Sequence, residues 1–426
     1  MEERLTQLRV PFGAYHHRTV PKPDFELTST GPGTPGGEYL RRFWQPVAFS
    51  AELKDLPVKI RIMCEDLVLF RDGRGKVGLL ELHCPHRGTS LEFGLVSECG
   101  LRCCYHGWLF DVDGRVLETP GEPAGSTLKA RFYHGAYPVR EFNGIVFAYM
   151  GPPEKIPPMP VFDTYDLPDY ELLPGTKDVY DCNWVQVREN SMDPVHTAFL
   201  HTIVSGAQFT EEFGFVPVTQ FYESPTGCFY TGARRNGDYI WVRMVDFILP
   251  NIHQFPPPWE TADSEHVTAP LMTNWNVPID DEHTMRIGFI RRKLSESRTA
   301  DSVRKSAGFG HWRRDDYEAR QRNPWDYDAQ VSQRPVAVHS LEHLGNSDRG
   351  VAMFRKVLRA GIRANKAGLD PSPYGAEGVR IHTMSQDVVV RVPPAATPEE
   401  DDALLAETGQ RIAAQYAEQK RPKGTA

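Results

Sequence analysis

Long apolar runs are absent from this chain of 426 residues. None of its runs approaches the roughly 20 apolar residues with which a helix spans a bilayer. The first ten residues are charged and lack the apolar centre of an export signal. The sequence therefore predicts a cytoplasmic protein without a membrane partner.

Positive charge and cysteine are also scarce. The 48 lysines and arginines are outnumbered by 56 acidic residues, which gives a net charge of -8. A nucleic-acid partner would call for a basic face, so we expect none. Seven cysteines are too few for a disulfide scaffold in a chain of this length, and an odd number fits reduced thiols and metal ligation better.

One glycine pattern imitates a nucleotide-binding motif in the wrong context. Residues 73–78 (GRGKVG) fit G-x-G-x-x-G, which binds dinucleotides only between a strand and a helix. Apolar, strand-like runs lie on both sides, and no helical pattern follows. We therefore predict a hairpin turn here, and the chain has no flavin or nicotinamide fingerprint.

The order of strand-like and helical patterns indicates an α+β protein. Short apolar runs separated by turn residues fill 45–150. After a proline-dense stretch, strand-like segments from 216 to 292 precede helical patterns at 351–358 and 399–419. We predict an N-terminal arm (1–40), an all-β domain (41–150), a stiff proline-rich linker (151–160) and an α+β domain (161–426).

Four possible metal ligands stand on two short segments of the all-β domain. Their pattern is C-x-H-x16-C-x-x-H, formed by Cys84, His86, Cys103 and His106. Two thiolates and two imidazoles suit a tetrahedral zinc ion, or a [2Fe–2S] cluster in which two histidines replace two cysteines on one iron. Zinc motifs usually separate paired ligands by about two to four residues, so the single residue between Cys84 and His86 favours the cluster.

A second group of possible ligands lies in the α+β domain. Asp193, His196 and His201 form the pattern D-x-x-H-x-x-x-x-H. Two histidines and one carboxylate with open positions suit non-haem Fe(II). Residues five apart on a regular helix are separated by about 140°, so both histidines can reach one ion only if the helix ends or bulges between them. Asp193 before Pro194 also fits a simpler role, the start of a helix.

Both groups resemble one protein family, in that family's order. Residues 84–88 (CPHRG) and 103–108 (CCYHGW) resemble the Rieske signature of the Rieske-type ring-hydroxylating oxygenases. The stretch 189–201 resembles the mononuclear-iron motif of the same enzymes. The resemblance implies a Rieske [2Fe–2S] domain followed by a helix-grip-like antiparallel sheet with helices. It implies the cluster ligands Cys84, His86, Cys103 and His106, without Cys104, and the Fe(II) ligands His196 and His201.

The third ligand of the mononuclear iron is also taken from the resemblance. Residues 323–335 and 342–350 are similar to the family's D-x6-Q-G-P and E-H-L-G-x-S-D-R-G segments, although Arg334 replaces the usual glycine. The similarity places the ligand at Asp326, seven residues before Gln333. Asp328 and Asp387 stay open as alternatives.

The resemblance implies further roles near the iron. Asp193 is similar to the carboxylate that bridges the two metal centres, and Asn190 belongs to the same catalytic motif. In the family this bridge crosses a subunit interface, from His106 of one protomer to Asp193 and His196 of its neighbour. A homotrimer is therefore implied.

The similarity is with the branch that contains phthalate dioxygenase, phenoxybenzoate dioxygenase and dehydrodivanillate O-demethylase. It implies a terminal oxygenase that receives electrons from a separate NAD(P)H-dependent reductase or ferredoxin and activates O2. We expect O-demethylation of a lignin-derived methoxylated aromatic acid, with ring cis-dihydroxylation as the alternative. A Rieske electron-transfer protein is the alternative of another class, and it would have no use for the mononuclear-iron ligands.

An aromatic acid would present a carboxylate to the protein. A guanidinium binds a carboxylate through two parallel hydrogen bonds. We hypothesise that Arg234, Arg235 or Arg243, on the strand-like segments of the second domain, pairs with this group.

Overall fold

The computed structural model describes residues 19–258, 260–295, 297, 299, 301–303, 316–370, 374 and 379–420. The first 18 residues of the predicted arm thus lie outside the described chain. The rest of the arm holds two short helices, α1 (Phe25–Thr28) and α2 (Pro35–Leu40). Each begins at a polar side chain that accepts backbone hydrogen bonds, from Asp24 for α1 and from Thr34 for α2.

Strands β1 to β11 follow in the region predicted to be all-β. In chain order they cover Gln45–Phe49, Val58–Ile62, Glu65–Arg71, Val77–Glu81, Leu95–Ser97, Gly100–Arg102, Leu109–Phe110, Val116–Glu118, Ala136–Tyr137, Val139–Phe142 and Ile145–Ala148. They form three sheets, ordered β1-β11-β10, β2-β3-β4-β9 and β5-β6-β7-β8. The glycine pattern at 73–78 spans the turn between β3 and β4, which pair antiparallel. The predicted hairpin is therefore confirmed.

A small apolar core joins the two four-stranded sheets. Val68 and Leu80 come from one sheet, and Leu101 and Phe110 come from the other. The side chains of Cys84 and Cys103 belong to the same buried cluster. The packing of the two sheets thus holds together the two loops that carry the cysteines.

The second half of the chain contains a large sheet and several helices. Strands β12 to β22 cover Val161–Phe162, Tyr170–Tyr180, Val218–Ser224, Gly227–Asn236, Tyr239–Ile248, Ile252–Phe255, His266–Thr268, Met272–Pro278, Thr284–Lys293, Arg380–Ile381 and Gln386–Arg391. Helices α3 to α8 cover Trp184–Asn190, His196–Ala198, Tyr317–Arg322, Asp326–Val331, Arg349–Lys366 and Pro398–Gln419. A π-helix, Phe199–Ile203, directly follows α4.

Nine strands form one antiparallel sheet, with the order β13-β20-β19-β17-β16-β15-β14, with β22 paired to β16 and with β18 paired to β22. Alternate residues of a strand face opposite sides. Val242 and Met244 on β16 pack against Leu405 and Ile412 of α8. Val245 and Phe247, on the other face of β16, share a core with Trp184 and Val185 of α3. The functional elements described below lie on the face opposite α8.

Helix α7 ties the arm to α3. Arg359 on α7 pairs with Asp24 and Glu26 of the arm. One turn earlier, Arg355 donates to the carboxylate of Glu189 on α3 at 2.6 Å. The predicted α+β class is confirmed. Within the described residues, no helix is both long and apolar enough to cross a membrane.

Candidate active site

The two cysteine-bearing loops have matching backbone geometry. The carbonyl oxygen of Cys84 accepts from Gly88 N at 2.8 Å, and that of Cys103 accepts from Gly107 N at 3.1 Å. The two glycines have φ of 74° and 73°, a left-handed conformation that glycine adopts without strain. Each loop therefore turns back tightly after its cysteine and leaves a histidine near the tip.

The four residues predicted to bind a cluster come together, with sulfur inside and imidazole outside. The thiols of Cys84 and Cys103 are both buried, and Cys103 lies near enough to help raise the pKa of Cys84. His86 and His106 lie nearer the surface, with ring centroids 4.5 Å apart. Burial raises the pKa of the Cys84 thiol to about 11, so a bound metal is needed to stabilise the thiolate. Two buried sulfurs and two surface nitrogens fit a Rieske cluster.

The second predicted group is assembled by a break in helix geometry. His196 opens α4, and His201 lies in the π-helix that follows. In this π-helix Val204 N donates to Phe199 O, five residues earlier, at 2.8 Å. The widened turn brings residues five apart towards one face, and the two imidazole centroids lie 5.3 Å apart. The bulge that the sequence required is confirmed.

Asp326, the first residue of α6, completes a group of three possible ligands. Its Oδ1 lies 3.5 Å from His196 Nε2 and 3.2 Å from His201 Nε2. One atom from each of the three residues falls within 4.8 Å of the others. Although burial opposes ionisation, the adjacent imidazoles of His201 and His196 hold the pKa of Asp326 well below its ordinary value. The site is thus arranged around a carboxylate that faces two nitrogen donors.

Both histidines are oriented so that Nε2, and not Nδ1, is the ring nitrogen that could bind a metal. His196 Nδ1 contacts the backbone oxygen of Asp193, and His201 Nδ1 lies 2.8 Å from Oε1 of Gln208. An acceptor at Nδ1 places the ring proton there and leaves the Nε2 lone pair free for a metal. Two imidazole nitrogens and one carboxylate fit a mononuclear Fe(II) with open positions.

Asp193 lies just before α4, although Val195, and not Asp193, is the N-cap residue of that helix. Its Oδ1 accepts from Val195 N at 2.9 Å and from His196 N at 3.3 Å, so it stabilises the turn that leads into the helix. Its Oδ2 lies 3.8 Å from His196 Nδ1, beyond hydrogen-bonding distance. The side chain is 31% exposed, which leaves it accessible from outside the chain. Its role as a bridge between metal centres stays a prediction.

Asn190 is the other residue predicted from the iron motif. It closes α3, and its Nδ2 donates to Asp326 Oδ1 at 3.2 Å. The bond connects α3 with the start of α6 at the carboxylate itself. Asn190 thus orients the carboxylate that lies between the two imidazoles.

The two alternative carboxylates have other partners. Asp328 accepts from Trp325 N at 3.0 Å, which caps α6, and pairs with Arg320 at 2.6 Å. Asp387 lies on β22 and pairs with Arg243 at 2.8 Å. A separate cluster of Glu189, His339 and Glu342 already contains a cation, because Arg355 donates to both of its carboxylates.

A cavity of about 140 Å³ opens beside His196, His201 and Asp326. The apolar part of its lining consists of Val187, Phe209, Phe213, Tyr230, Val245 and Phe255. The polar part includes Asn190, Arg243, His253, Asn276, Arg286 and Gln330. A cavity of about 150 Å³ is known to hold one benzene molecule. The space therefore fits a compound of about one aromatic ring.

The three arginines proposed to bind a carboxylate each have a partner within the chain. Arg234 donates to Phe215 O at 2.9 Å and to Thr197 Oγ1 at 2.6 Å. Arg235 pairs with Asp401 at 2.6 Å. Arg243 lines the cavity, but its charge is paired with the buried Asp387. Only Arg243 remains a candidate for the hypothesis, and its charge is already balanced.

Several residues of the site were not predicted from sequence. Gln208 lies beyond the iron motif, and its contact with His201 depends on the fold of the loop after the π-helix. His253 and Asn276 come from β17 and β19, which meet the histidines only through the large sheet. Their strands contain other polar residues, such as Gln254, Thr273 and Asn274, so a scan for isolated polar residues would not have singled them out.

The chain matches known sequences along most of its length. Residues 43–141 match the family model of the Rieske [2Fe-2S] domain. The tert-butanol monooxygenase / tert-amyl alcohol desaturase oxygenase subunit of Aquincola tertiaricarbonis is 42% identical, with 93% of this chain and 88% of that protein covered. The phenoxybenzoate dioxygenase subunit alpha of Ectopseudomonas oleovorans is 39% identical, with 89% of this chain and 92% of that protein covered.

A solved structure supports the fold. The NdmA QL mutant of Pseudomonas putida CBB5 with theobromine superposes with a TM-score of 0.61, covering 82% of this chain and 100% of that chain. Its sequence identity is 20%. The likeness therefore concerns the arrangement of the two halves of the chain and not the compound that is bound.

Proposed function

We propose, from the premise that this chain belongs to the Rieske non-haem iron oxygenases, that it removes a methyl group from a lignin-derived methoxylated aromatic acid. As an oxygenase subunit of this family it carries a [2Fe–2S] Rieske cluster and a mononuclear iron. The observation that carries the proposal is the cavity of about 140 Å³ beside His196, His201 and Asp326. It has room for a compound of about one aromatic ring.

The residues that would hold the two centres are those with the fitting donor atoms. We assign the cluster to Cys84, His86, Cys103 and His106, and the mononuclear iron to His196, His201 and Asp326. When bound, the cluster supplies electrons one at a time and the mononuclear iron activates O2.

The protein's own part in the reaction is to orient groups and to exclude water. Asn190 Nδ2 and the two imidazoles fix the carboxylate of Asp326. Gln208 holds the Nδ1 proton of His201 and so keeps its Nε2 directed at the metal position. Phe209 and Trp325 pack against the His201 ring, with centroids 5.1 and 6.2 Å away, and cover the site with apolar surface. A dry wall of this kind protects a reactive centre from side reactions.

Methyl oxidation is supported by the nature of one relative's substrate. Every carbon–hydrogen bond of tert-butanol belongs to a methyl group, so a tert-butanol monooxygenase that attacks carbon must attack a methyl group. Hydroxylation of an aryl methyl ether gives a hemiacetal, which releases formaldehyde and leaves a phenol. In the overall reaction, one methyl ether, one O2, one NAD(P)H and one proton are consumed. The products are one phenol, one formaldehyde, one water and one NAD(P)⁺.

Ring cis-dihydroxylation is the second candidate function. It is favoured by the phenoxybenzoate dioxygenase subunit, which is 39% identical over most of its length. The two reactions use the same pair of centres and differ in which carbon of the substrate is directed at the iron. A pure electron carrier is not supported, because relatives aligned over 93% and 89% of this chain are oxygenase subunits.

The electrons must reach the chain from outside. We propose a separate NAD(P)H-dependent reductase or ferredoxin as the donor. We also propose a homotrimer, in which Asp193 of one protomer bridges to His106 of its neighbour, and the domain division at 151–160. A measured mass of three chains of 48.2 kDa in light scattering would support the trimer, and a monomer would contradict it.

The function is tested by following the product and the fate of the methyl group. Iron-loaded protein is supplied with NADH, O2 and a surrogate ferredoxin and reductase, and is offered single-ring acids with and without a methoxy group. Formaldehyde in equal amount to the phenol, only with methoxylated acids, is the expected result. Gain of two hydroxyl groups without formaldehyde would establish ring dihydroxylation and overturn the first proposal.

Two matched variants separate turnover at the proposed iron from background chemistry. Asp326→Asn removes a proposed ligand, and Asp328→Asn changes the carboxylate two residues later that caps α6. Formaldehyde should disappear with the first variant and persist with the second. Equal activity in both would mean that the metal site is wrongly assigned.

A further inference from the structure

The cavity has a polar wall on the sheet side, facing the helices that carry His196, His201 and Asp326. His253 on β17 is directly opposite Asn274 of β19, and Asn276 is directly opposite Arg286 of β20. Residues opposite each other on antiparallel strands, and residues two apart on one strand, point to the same face. His253, Asn276 and Arg286 thus present their side chains together, and all three line the cavity.

Asn276 has an amide without a partner in the described chain. Its side chain is fully buried, yet neither Nδ2 nor Oδ1 makes a hydrogen bond. Burying an amide without hydrogen bonds costs free energy, so folded proteins seldom leave such a group unpaired. The position of Asn276 on the cavity lining supplies the reason, because a bound compound can pair with it.

His253 is held in a single tautomer by a buried arginine. Arg188 Nη1 lies 2.8 Å from His253 Nδ1, and a guanidinium can only donate. Nδ1 must therefore be the acceptor. Burial, together with the charges of Arg188 and Arg286, holds the pKa of His253 well below its ordinary value, so the ring is neutral. Its one proton then lies on Nε2, and His253 offers an N–H donor at its other edge.

Arg188 is a buried cation without an acidic partner at ion-pair distance among the described residues. It is fully buried, and its contacts are Ile252 O at 2.6 Å, His253 Nδ1 and the ring of Phe247 at 3.4 Å. Its Nε has no hydrogen-bond partner. A buried charge without a counter-ion is costly. The positive charge of Arg188 would stabilise an anion bound on the opposite side of the His253 ring, at Nε2.

The two arginines on the cavity lining are differently placed. Arg243 pairs with Asp387 at 2.8 Å, and Arg286 pairs with Asp178 at 3.4 Å. Each of these cations is therefore balanced by a carboxylate of the chain itself. The sheet wall offers instead two neutral N–H donors, and the buried guanidinium of Arg188 lies directly behind one of them.

We propose that His253 Nε2–H and Asn276 Nδ2–H bind the carboxylate of the substrate, and that Arg188 is the positioning residue that fixes the His253 tautomer. The inference rests on the proposed function in taking this cavity as the substrate site. The sequence analysis expected an arginine to pair with the substrate carboxylate, whereas this proposal assigns that role to two neutral N–H donors. The carboxylate end then lies against the sheet, and the opposite end of the ring faces the helical wall with the proposed iron ligands.

The test measures binding without turnover. Iron-loaded full-length protein is titrated in the absence of O2 and reductant with 3-methoxybenzoate, 3-methoxybenzamide and 3-methoxyphenol. The acid should bind at least about tenfold more tightly than the amide and the phenol, the effect of one hydrogen bond to a charged group. Equal affinities would overturn the proposal, and a preference for the phenol would assign the wall to a hydroxyl group.

Variants locate the preference on the proposed residues. In His253→Asn the amide oxygen can still accept from Arg188, but the amide nitrogen takes about the place of Cδ2 and does not reach the position of Nε2 in the cavity. Asn276→Leu removes the other donor, and Asn276→Asp places a like charge against the carboxylate. Each should weaken acid binding by about tenfold or more while changing amide binding little. The matched control Gln254→Leu alters a buried amide that points to the opposite face of β17 and does not line the cavity, and it should keep the preference.

Arg188 is tested by a conservative pair. Arg188→Lys retains a donor to Nδ1 and the charge, whereas Arg188→Met removes both. A merely structural role would weaken all three ligands equally in Arg188→Met, and that result would contradict its positioning role. Loss of the preference for the acid alone, restored in Arg188→Lys, is the expected result.

This binding test is independent of the reaction. An acid that binds selectively but yields no formaldehyde would refute the proposed function and leave the inference intact. Turnover of the acid and the amide with equal KM would refute the inference and leave the function intact.

Discussion

Gln208 Oε1 accepts a hydrogen bond from His201 Nδ1 over 2.8 Å, while its Nε2 donates to Pro324 O over 3.0 Å. Pro324 stands two residues before Asp326. One amide therefore connects the segment that carries a proposed histidine ligand with the segment that carries the proposed carboxylate ligand.

The first prediction concerns this amide. Gln208→Leu should lower the affinity for the mononuclear iron by about 10- to 100-fold, because an unsupported imidazole loses its fixed tautomer and orientation. Gln208→Glu keeps an acceptor for Nδ1 and should lose less. The measurement is iron retained per chain after dialysis against a chelator, with the visible absorbance of the cluster as an internal reference. Equal retention in Gln208→Leu and the unaltered protein would refute this role.

The second prediction identifies the carboxylate ligand. Asp326→Asn should reduce the iron content from about three to about two per chain, since a [2Fe–2S] cluster and one mononuclear iron account for the total. Asp328→Asn should keep all the iron and lose only about 1 kcal/mol of stability from a weakened helix cap. Iron analysis of both variants after identical loading decides between them. Loss of iron in Asp328→Asn alone would reverse the assignment.

The third prediction uses two adjacent cysteines. Cys103 is buried in the apolar core between the sheets, and Cys104 is exposed. Cys103→Ser should abolish the visible and electron paramagnetic resonance signals of the cluster and leave about one iron per chain. Cys104→Ser should leave the spectra unchanged. A cluster that survives in Cys103→Ser would show that the thiol pair is wrongly identified.

The sequence predicted those parts of the site that lie on short local motifs. Cys84 and His86 are separated by one residue, and the geometry of a single loop brings them together whatever the rest of the fold does. The distance between His196 and His201 also predicted a departure from α-helical geometry, because five residues on a regular helix point in different directions. The π-helix at Phe199–Ile203 is that departure.

Residues whose role depends on distant contacts could not be predicted in this way. Arg243 and Asp387 are paired because β16 lies beside β22. No sequence pattern near either residue predicts that the two strands are neighbours. The same holds for Arg188 on α3 and His253 on β17. A cation in a sequence carries no information about its partner, so the sequence could not show that Arg234, Arg235 and Arg243 each have a partner within the chain.

The fourth prediction is a pH dependence of stability. Burial raises the pKa of Asp246 to about 7, although Phe247 N and Met384 N donate to its oxygens. In the unfolded chain the same group ionises near pH 4. The folded state holds the extra proton between about pH 4 and 7, so the stability contributed by this group falls as the pH rises through that range.

Asp246→Asn cannot ionise at this position and should show a smaller fall in thermal midpoint between pH 5 and 8. The difference should correspond to up to about a few kcal/mol in the free energy of unfolding. Some slope should remain, because burial also raises the pKa of Asp387, to about 6, with the same sign. Asp238→Asn, on the exposed turn before β16, serves as the control and should keep the original pH dependence. Identical slopes in both variants would contradict the prediction.

The fifth prediction tests how closely α7 must approach the iron segment. A Cβ on Gly350 would lie 2.3 Å from Cε1 of Phe221 and 2.6 Å from the backbone oxygen of Met192, the residue before Asp193. Within a helix, Gly→Ala by itself stabilises by about 1 kcal/mol. If Gly350→Ala lowers the free energy of unfolding, the cause is therefore the clash of the new Cβ with Phe221 and Met192. Overpacking of this kind costs about 1–3 kcal/mol.

Gly345 provides the matched control five residues earlier. A Cβ there would meet nothing nearer than Asp348 Oδ2 at 3.6 Å, and its φ of −103° suits alanine. Gly345→Ala should leave the thermal midpoint unchanged or slightly raised. Gly350→Ala should lower it and, because the strain falls beside the turn that begins α4, should also release mononuclear iron more readily. If Gly350→Ala is destabilised but retains its iron, the Met192 backbone shifts without displacing His196. That result would contradict the predicted effect on the iron.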